Sequence, residues 1–327
     1  MEISAATVKA FRDKTGLPMM DCKRALVEAN GDEEKALEII RKSGAKTMAG
    51  RADRVTEAGR IALFTDPKKQ VTAMVELLCE SAPVSNTEEF IALVNGLAEQ
   101  LATGPGAKTT EELLAQPFPG KPGVTLQFYW DDLVNNKIQE VFRLPRMVRV
   151  EGPCGGYVHH NFAIGVVLPI DGENVELGKD IAMHVASMKP LALSEADLDP
   201  VAIKKEREII LTEALEQNRL KSEEEMKQMA DEKAKEFFVA QSSAGKEVDP
   251  AELEKECEKI LAKIRGQNKP KPESVIEKIV DGKMKAFLAE RTLLGQPFVK
   301  DSSKTVSQVC EENKIRIKEM IHWVLGR

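Results

Sequence analysis

Aromatic residues are scarce in this chain: 2 Trp, 2 Tyr and 11 Phe make up only 5% of 327 residues. Single-stranded bases bind largely by stacking on aromatic faces, so few platforms exist for them. Positive charge is not in excess either. With 47 basic and 53 acidic side chains the formal net charge is −6, the wrong sign for attracting a phosphate backbone. Direct nucleic-acid binding is therefore not expected. Long apolar runs are missing too, since the stretch Ala163 to Ile170 is far short of the roughly 20 residues a membrane helix needs. The opening MEISAATVKAFRDKTG lacks the apolar segment of a secretion signal. A cytoplasmic protein with no membrane association is the expectation. Five cysteines (Cys22, Cys79, Cys154, Cys257, Cys310) are odd in number and lack any C-x-x-C spacing, which suits a reducing compartment and argues against a zinc site or a disulfide framework.

Catalytic signatures are equally sparse. Gly104-Pro105-Gly106-Ala107-Lys108-Thr109 superficially resembles a phosphate loop, but G-x-x-x-x-G-K-[ST] occurs nowhere, so a plain turn is expected. His159 and His160 are adjacent; on a strand they would face opposite sides and fail to share a metal. His184 and His322 have no local Cys, Asp or Glu at ligand spacing, and nothing selects one cysteine as a nucleophile. No cofactor is expected, and an enzyme is a remote reading.

What is present is punctuation. The chain is long enough for two or three domains with cores of their own. Residues 3 to 44 read as three short helices: the first ends at Thr15-Gly16, Pro18 opens the second, Asn30-Gly31 closes it, and Asp32 caps the third. Met19, Cys22, Leu26 and Ala29 share one helical face, so Met19 is expected in the small core, whereas Met20 is left as an adaptable thioether beside Lys23 suited to docking a partner's helix. Gly44 to Thr56 looks like a linker. From Gly59 the period changes. Arg60 to Thr65 and Val71 to Leu78 read as an antiparallel hairpin, followed by helices over 87–101, 110–115 and 125–139. Tyr157 to His160 and Ala163 to Pro169 form a second strand pair, and Val175 to Ser187 a helix.

Residues 199 to 269 differ in kind, with 14 basic and 17 acidic side chains among 71 residues. Apolar residues there still keep helical spacing, and Ser222-x-x-Glu225 and Asp249-Pro250-x-Glu252 look like helix starts. A projecting helical arm fits better than disorder, which would not preserve the stripe. After it come a helix over 274–290, an extended Gln296 to Val299, a helix over 303–313 and a closing strand over 315–325. A strand-and-helix unit begun before the arm is thus finished after it, which makes the arm an insertion.

Five ordered motifs carry a resemblance over nearly the whole chain. They are Val8-Lys9-x-Phe11-Arg12 through Met19-Met20-Asp21-Cys22-Lys23 with Ala25-Leu26-x-Glu28-Ala29-x-Gly31-Asp32; Tyr157-x-His159 with Ile164-Gly165-Val166-Val167-Leu168; Ile181 to Ala186 with Lys189-Pro190; Asp281-Gly282-x-Met284-Lys285-x-Phe287; and Leu294 to Val299 with Lys304-Thr305-Val306. Together they resemble the bacterial elongation factor Ts family, guanine-nucleotide exchange factors of elongation factor Tu.

The resemblance implies an α+β fold. A three-helix, ubiquitin-associated-like domain (1–50) would dock on the partner, followed by two α+β subdomains with antiparallel sheets (55–150, and 151–198 plus 270–327) and an inserted charged arm (199–269) that is a candidate for self-association. It also implies contacts to elongation factor Tu through Arg12, Met19, Met20 and Lys23, and through Ile164, Gly165, His184 and Val299 in the core. His184 is expected to supply packing and one hydrogen bond. One departure matters. Where the family carries Thr-Asp-Phe-Val-Ala, whose acid and aromatic wedge beside the partner's magnesium, this chain reads Ser81-Ala82-Pro83-Val84-Ser85. For an exchange factor, either the Ser81–Val84 loop works by backbone shape, Pro83 stiffening it, or exchange relies more on the other contacts, or the wedge is weakened; the alternative is a non-exchanging interaction scaffold on the same fold.

Overall fold

A computed structural model describes residues 3–15, 17–51, 53–243, 250–267 and 272–327. Three helices come first, α1 (Ala5–Thr15), α2 (Met19–Glu28) and α3 (Glu33–Ala49), closed around Val8, Phe11, Leu17, Cys22, Ala25, Leu26 and Ala36. Gly16, expected to cap α1, lies outside the described residues. Asn30 and Gly31 both take positive φ, and the Gly31 amide returns to the Leu26 carbonyl at 2.8 Å, which ends α2. Asp32 Oδ1 then accepts from the Glu34 and Lys35 amides, both at 3.1 Å, and starts α3. Helix α3 continues to Ala49, into the first part of the segment expected as a linker from Gly44 to Thr56, because Ala, Lys and Met are good helix formers and one glycine is a modest penalty.

The first sheet orders β1 (Ala58–Asp66), β2 (Val71–Cys79) and β3 (Arg143–Glu151), all antiparallel. Every residue of β2 is buried, which explains its near-continuous apolar run. Ala73, Val75, Leu77 and Cys79 face the core built with α5, while Met74 joins Ile61, Cys154 and Val167 on the other face. Two polar residues on that second face are paired: Thr72 with Thr65 at 3.1 Å, and Glu76 with Arg146 at 2.7 Å. Between β2 and β3 lie the turn α4 (Ala82–Ser85), α5 (Glu88–Thr103), α6 (Thr110–Leu114) and α7 (Leu126–Asp132). Thr87, Thr109 and Thr125 cap the last three through their hydroxyls. The single helix expected over 125–139 is instead α7 followed by a π-helical stretch, Leu133–Lys137.

The second sheet begins with β4 (Cys154–Val158) and β5 (Ile164–Asp171), covered by α8 (Val175–Met188). Helix and strand meet at two glycines: a Cβ added to Gly155 would stand 2.2 Å from the Gly178 carbonyl carbon.

Two compact units are present, Met1–Lys189 with Pro297–Arg327, and Pro190–Gln296. The second is helical: α9 (Pro200–Ser243), α10 (Pro250–Gln267) and α11 (Glu273–Arg291). Helix α9 is continuous through Ser222, so no helix starts there; its apolar stripe passes Ser222 without a break. Asp249 lies outside the described residues. One stretch of α9, Ile210 and Ala214, packs on Ile276, Val280 and Met284 of α11. A later stretch, Met226 and Ala230, packs on Ile264 of α10.

Back in the first unit come β6 (Pro297–Phe298), β7 (Asp301–Thr305), α12 (Val306–Glu312), β8 (Arg316–Ile317) and β9 (Ile321–Val324). The helix expected from 303 starts later because Thr305 and Gln308 form a reciprocal cap. The expected closing strand is broken in two, and both pieces pair antiparallel with β5. The fold is α+β with antiparallel sheets. Among the described residues no helix is long and apolar enough to cross a membrane.

Candidate functional site

At the α1–α2 corner the expected core position of Met19 is corrected. Leu17, just ahead of the helix, is 5% exposed and fills that place, which leaves Met19 at 41% and Met20 at 71% exposure. Pro18 supplies the turn, its carbonyl accepting from the Asp21 and Cys22 amides at 3.1 Å. Arg12 and Lys23 are also exposed. Exposed thioethers and cations are the side-chain types that pack on an apolar helix with acidic flanks.

The Ser81–Val84 segment is not a loop but the start of a helical turn, with Ser81 at its N-terminus and Pro83 inside its first positions, where a missing amide costs nothing. It is anchored from below. Glu140 accepts from the Ser81 amide at 3.1 Å and from its hydroxyl at 2.6 Å. Glu80 accepts from the Val141 amide at 2.9 Å and pairs with Arg54 at 2.8 Å. Burial raises the Glu80 carboxyl, but the Val141 amide and Arg54 outweigh it, so the group titrates below its ordinary range. Burial, helped by Glu140, pushes the Cys79 thiol up to about 12, and that thiol donates to the Ser81 carbonyl at 3.3 Å. At the far end buried Arg60 donates to the Ser85 carbonyl at 3.1 Å and to Asn86 Oδ1 at 3.3 Å. Ala82 and Pro83 face solvent. Glu140 and Arg60 carry no local motif, standing 59 and 25 positions from their partners in the chain.

Ile164 is half-buried and Gly165 buried on β5. A Cβ on Gly165 would lie 2.5 Å from Met74 Sδ and 2.6 Å from Ile61 Cγ2, so glycine is what lets β5 approach the first sheet. His184 is wholly buried on α8, and its Nδ1 accepts from the Val299 amide at 3.2 Å, which places the ring proton on Nε2. That bond, with the Lys300–Asp180 pair at 2.6 Å, holds the β6–β7 connection so that the Val299 side chain is 53% exposed. The structure thus joins His184 to Val299 and sets Ile164 beside Gly165 on one strand. The Ser81–Val84 turn is built from other elements.

His159 and His160 depart from the strand geometry expected of them. Strand β4 stops at Val158, and in the turn that follows their ring centroids are 4.1 Å apart, with the Tyr157 hydroxyl 3.0 Å from His159 Nδ1. Among the described residues no group of three or more His, Cys, Asp or Glu side chains is placed to hold a metal ion.

The family model described as Elongation factor TS matches residues 80–242 and 238–327. An Elongation factor Ts of Hydrogenobaculum sp. is 31% identical over 327 residues, covering 100% of both chains. Another, from Thioalkalivibrio sulfidiphilus, is 31% identical over 326 residues, covering 100% of this chain and 93% of the relative. A third, from Kineococcus radiotolerans, reaches 40% over 222 residues, or 66% of this chain and 78% of its own length. The family model spans most of the chain and two of these relatives match it from end to end: the chain belongs to the elongation factor Ts family, and it is a translation elongation factor.

Proposed function

We propose that this protein binds elongation factor Tu carrying GDP and promotes exchange of that GDP for GTP, acting in the cytoplasm and making or breaking no covalent bond. The observation that carries this reading is the Ser81–Val84 turn, which exposes Ala82 and Pro83 and is held at one end by Glu140 and at the other by Arg60. A turn held at both ends can enter a partner without first being ordered, so its contacts are not spent on its own entropy. The three-helix domain (1–50) docks through Arg12, Met19, Met20 and Lys23, while Ile164, Gly165, His184 and Val299 define the second contact region, His184 acting through the Val299 backbone.

Exchange then follows from linkage. A factor that binds the nucleotide-free partner more tightly than the GDP form must weaken GDP by the same factor. A thousandfold preference corresponds to about 4 kcal/mol. Magnesium on the nucleotide demands near-octahedral oxygen geometry, so displacing its surroundings slightly is enough to loosen GDP. Ala82 and Pro83 offer neither a carboxylate nor a ring, and in this reading the turn acts by shape.

Release of a fluorescent GDP from elongation factor Tu is the decisive measurement. Acceleration by this protein is the expected result. Tight binding with no acceleration at saturation would instead identify the non-exchanging scaffold. Restoring the family residues in an Ala82→Asp/Pro83→Phe variant should raise the exchange rate if the native turn is a weakened wedge.

A further inference from the structure

The β4–β5 connection carries an aromatic ring where a turn would not choose one. Phe162 has φ +57°, a left-handed conformation that bulky side chains rarely adopt and that Gly or Asn fills at lower cost. The turn itself is backbone-bonded: the Phe162 amide donates to the His159 carbonyl, and the Phe162 carbonyl accepts from the Ile61 amide, both at 2.8 Å. None of those bonds needs a side chain. What phenylalanine adds is a ring that stays 40% exposed, in a chain with few aromatics.

That ring is not loose on the surface. Arg60 lies 3.7 Å from its centroid, a stacked cation–π arrangement, and the same guanidinium donates to the Ser85 carbonyl and Asn86 at the end of the Ser81–Val84 turn. One buried arginine therefore fixes the ring and the turn relative to each other. The ring also stands at the rim of an open cleft of about 510 Å³, whose walls include Arg60, Asn95, Tyr157 and Lys179.

We infer that Phe162 supplies an apolar contact to elongation factor Tu beside the Ser81–Val84 turn, standing in for the aromatic that Pro83 replaces. The inference rests on the exchange reading above. Its occupant follows from continuity, since Phe162 is tied through Arg60 to that turn and precedes Ile164 on the same hairpin. The surface that meets it is an apolar side chain flanked by a carboxylate, which the exposed Lys179 on the wall of the same cleft would attract. Backbone strain retained at an exposed ring fits a residue kept for contact, not for the fold.

The test uses the full chain with Phe162→Gly, Phe162→Asn and Phe162→Tyr variants. Affinity for nucleotide-free elongation factor Tu and the GDP release rate are measured alongside Tm. Gly and Asn suit the positive φ, so both should keep or raise Tm while weakening affinity at least tenfold. Tyr keeps the ring and should stay within threefold of the native protein. Native affinity and exchange in the Gly and Asn variants would overturn the inference and leave the exchange reading intact, as would losses that merely track a lowered Tm. A native protein that does not bind elongation factor Tu would overturn both.

Discussion

Glu76 is the most consequential buried charge in the sheet unit, and removing it should be costly. It lies 1% exposed in the middle of β2. Arg146 reaches it with two hydrogen bonds, at 2.7 and 2.8 Å, and the Gly326 amide donates a third at 2.8 Å. The same guanidinium donates to the Val324 carbonyl at 2.9 Å and sits 4.9 Å from the Trp323 ring centroid. One carboxylate thereby fastens β2, β3 and β9. In Glu76→Met the arginine loses its counter-charge and the Gly326 amide its acceptor. Breaking a buried pair from one side costs about 3–5 kcal/mol. Because the Arg146 side chain is 28% exposed, water can recover part of that, and the lower end, about 3 kcal/mol, is expected. Replacing both members, as Glu76→Met/Arg146→Met, should cost about 1 kcal/mol or less, since no orphaned charge remains. Urea unfolding followed by tryptophan fluorescence suits the experiment, because Trp130 and Trp323 both lie in the unit containing Glu76. At about 2–4 °C per kcal/mol for a unit of this size, the single variant should melt about 6–12 °C lower. A single variant within 1 kcal/mol of native, or a double variant as unstable as the single, would refute the reasoning.

Gly165→Ala should destabilise by about 1–3 kcal/mol, because its methyl would meet Met74 and Ile61 inside ordinary contact distance; thermal melting checks this, and native stability would mean the two sheets part easily. His322 gives a pH dependence. Burial, then Lys189, lowers its pKa from the usual 6.5, so the unfolded chain takes up the proton first and the histidine's contribution is lost as pH falls below about 6.5. Tm measured from pH 7.5 to 5.5 should decline, and His322→Gln should flatten the decline. Thiol labelling should be slow in the folded protein at Cys79, pushed up to about 12, and at Cys154 and Cys310, both pushed up to about 11, because burial disfavours the thiolate. Rapid alkylation of these three at pH 8, read by mass spectrometry, would mean that the core opens far more often than its packing suggests.

Local chemistry made much of the fold readable. Asp32 and Thr87 announce helix starts because a capping hydroxyl or carboxylate acts within three residues. The hairpin of β1 and β2 was legible for the same reason, its turn being closed by Asp66 accepting from the Lys68 and Lys69 amides. Features decided at long range were not. Met19 had the spacing of a core residue, yet Leu17 reached the core first from outside the helix. His159 and His160 had the spacing of a strand, but the strand ended one residue earlier. Ser222 had the pattern of a cap inside a helix whose packing on α10 and α11 continued past it. In the candidate site, the exposed Met20 could be read from adjacency alone, whereas Glu140, Arg60 and Phe162 gain meaning only once the chain brings them to the Ser81–Val84 turn.

The pairing of β5 also sets a schedule for synthesis. Its partner β9 begins at Ile321, 150 residues after β5 ends at Asp171. At about 5–20 residues per second, a ribosome needs about 7–30 s to make that interval. Throughout it the far edge of β5 must wait with open backbone groups while the charged helices of the second unit emerge. Nascent chains of this protein should therefore be vulnerable to edge-to-edge association in that window, and a chaperone that masks strand edges would have most to do there.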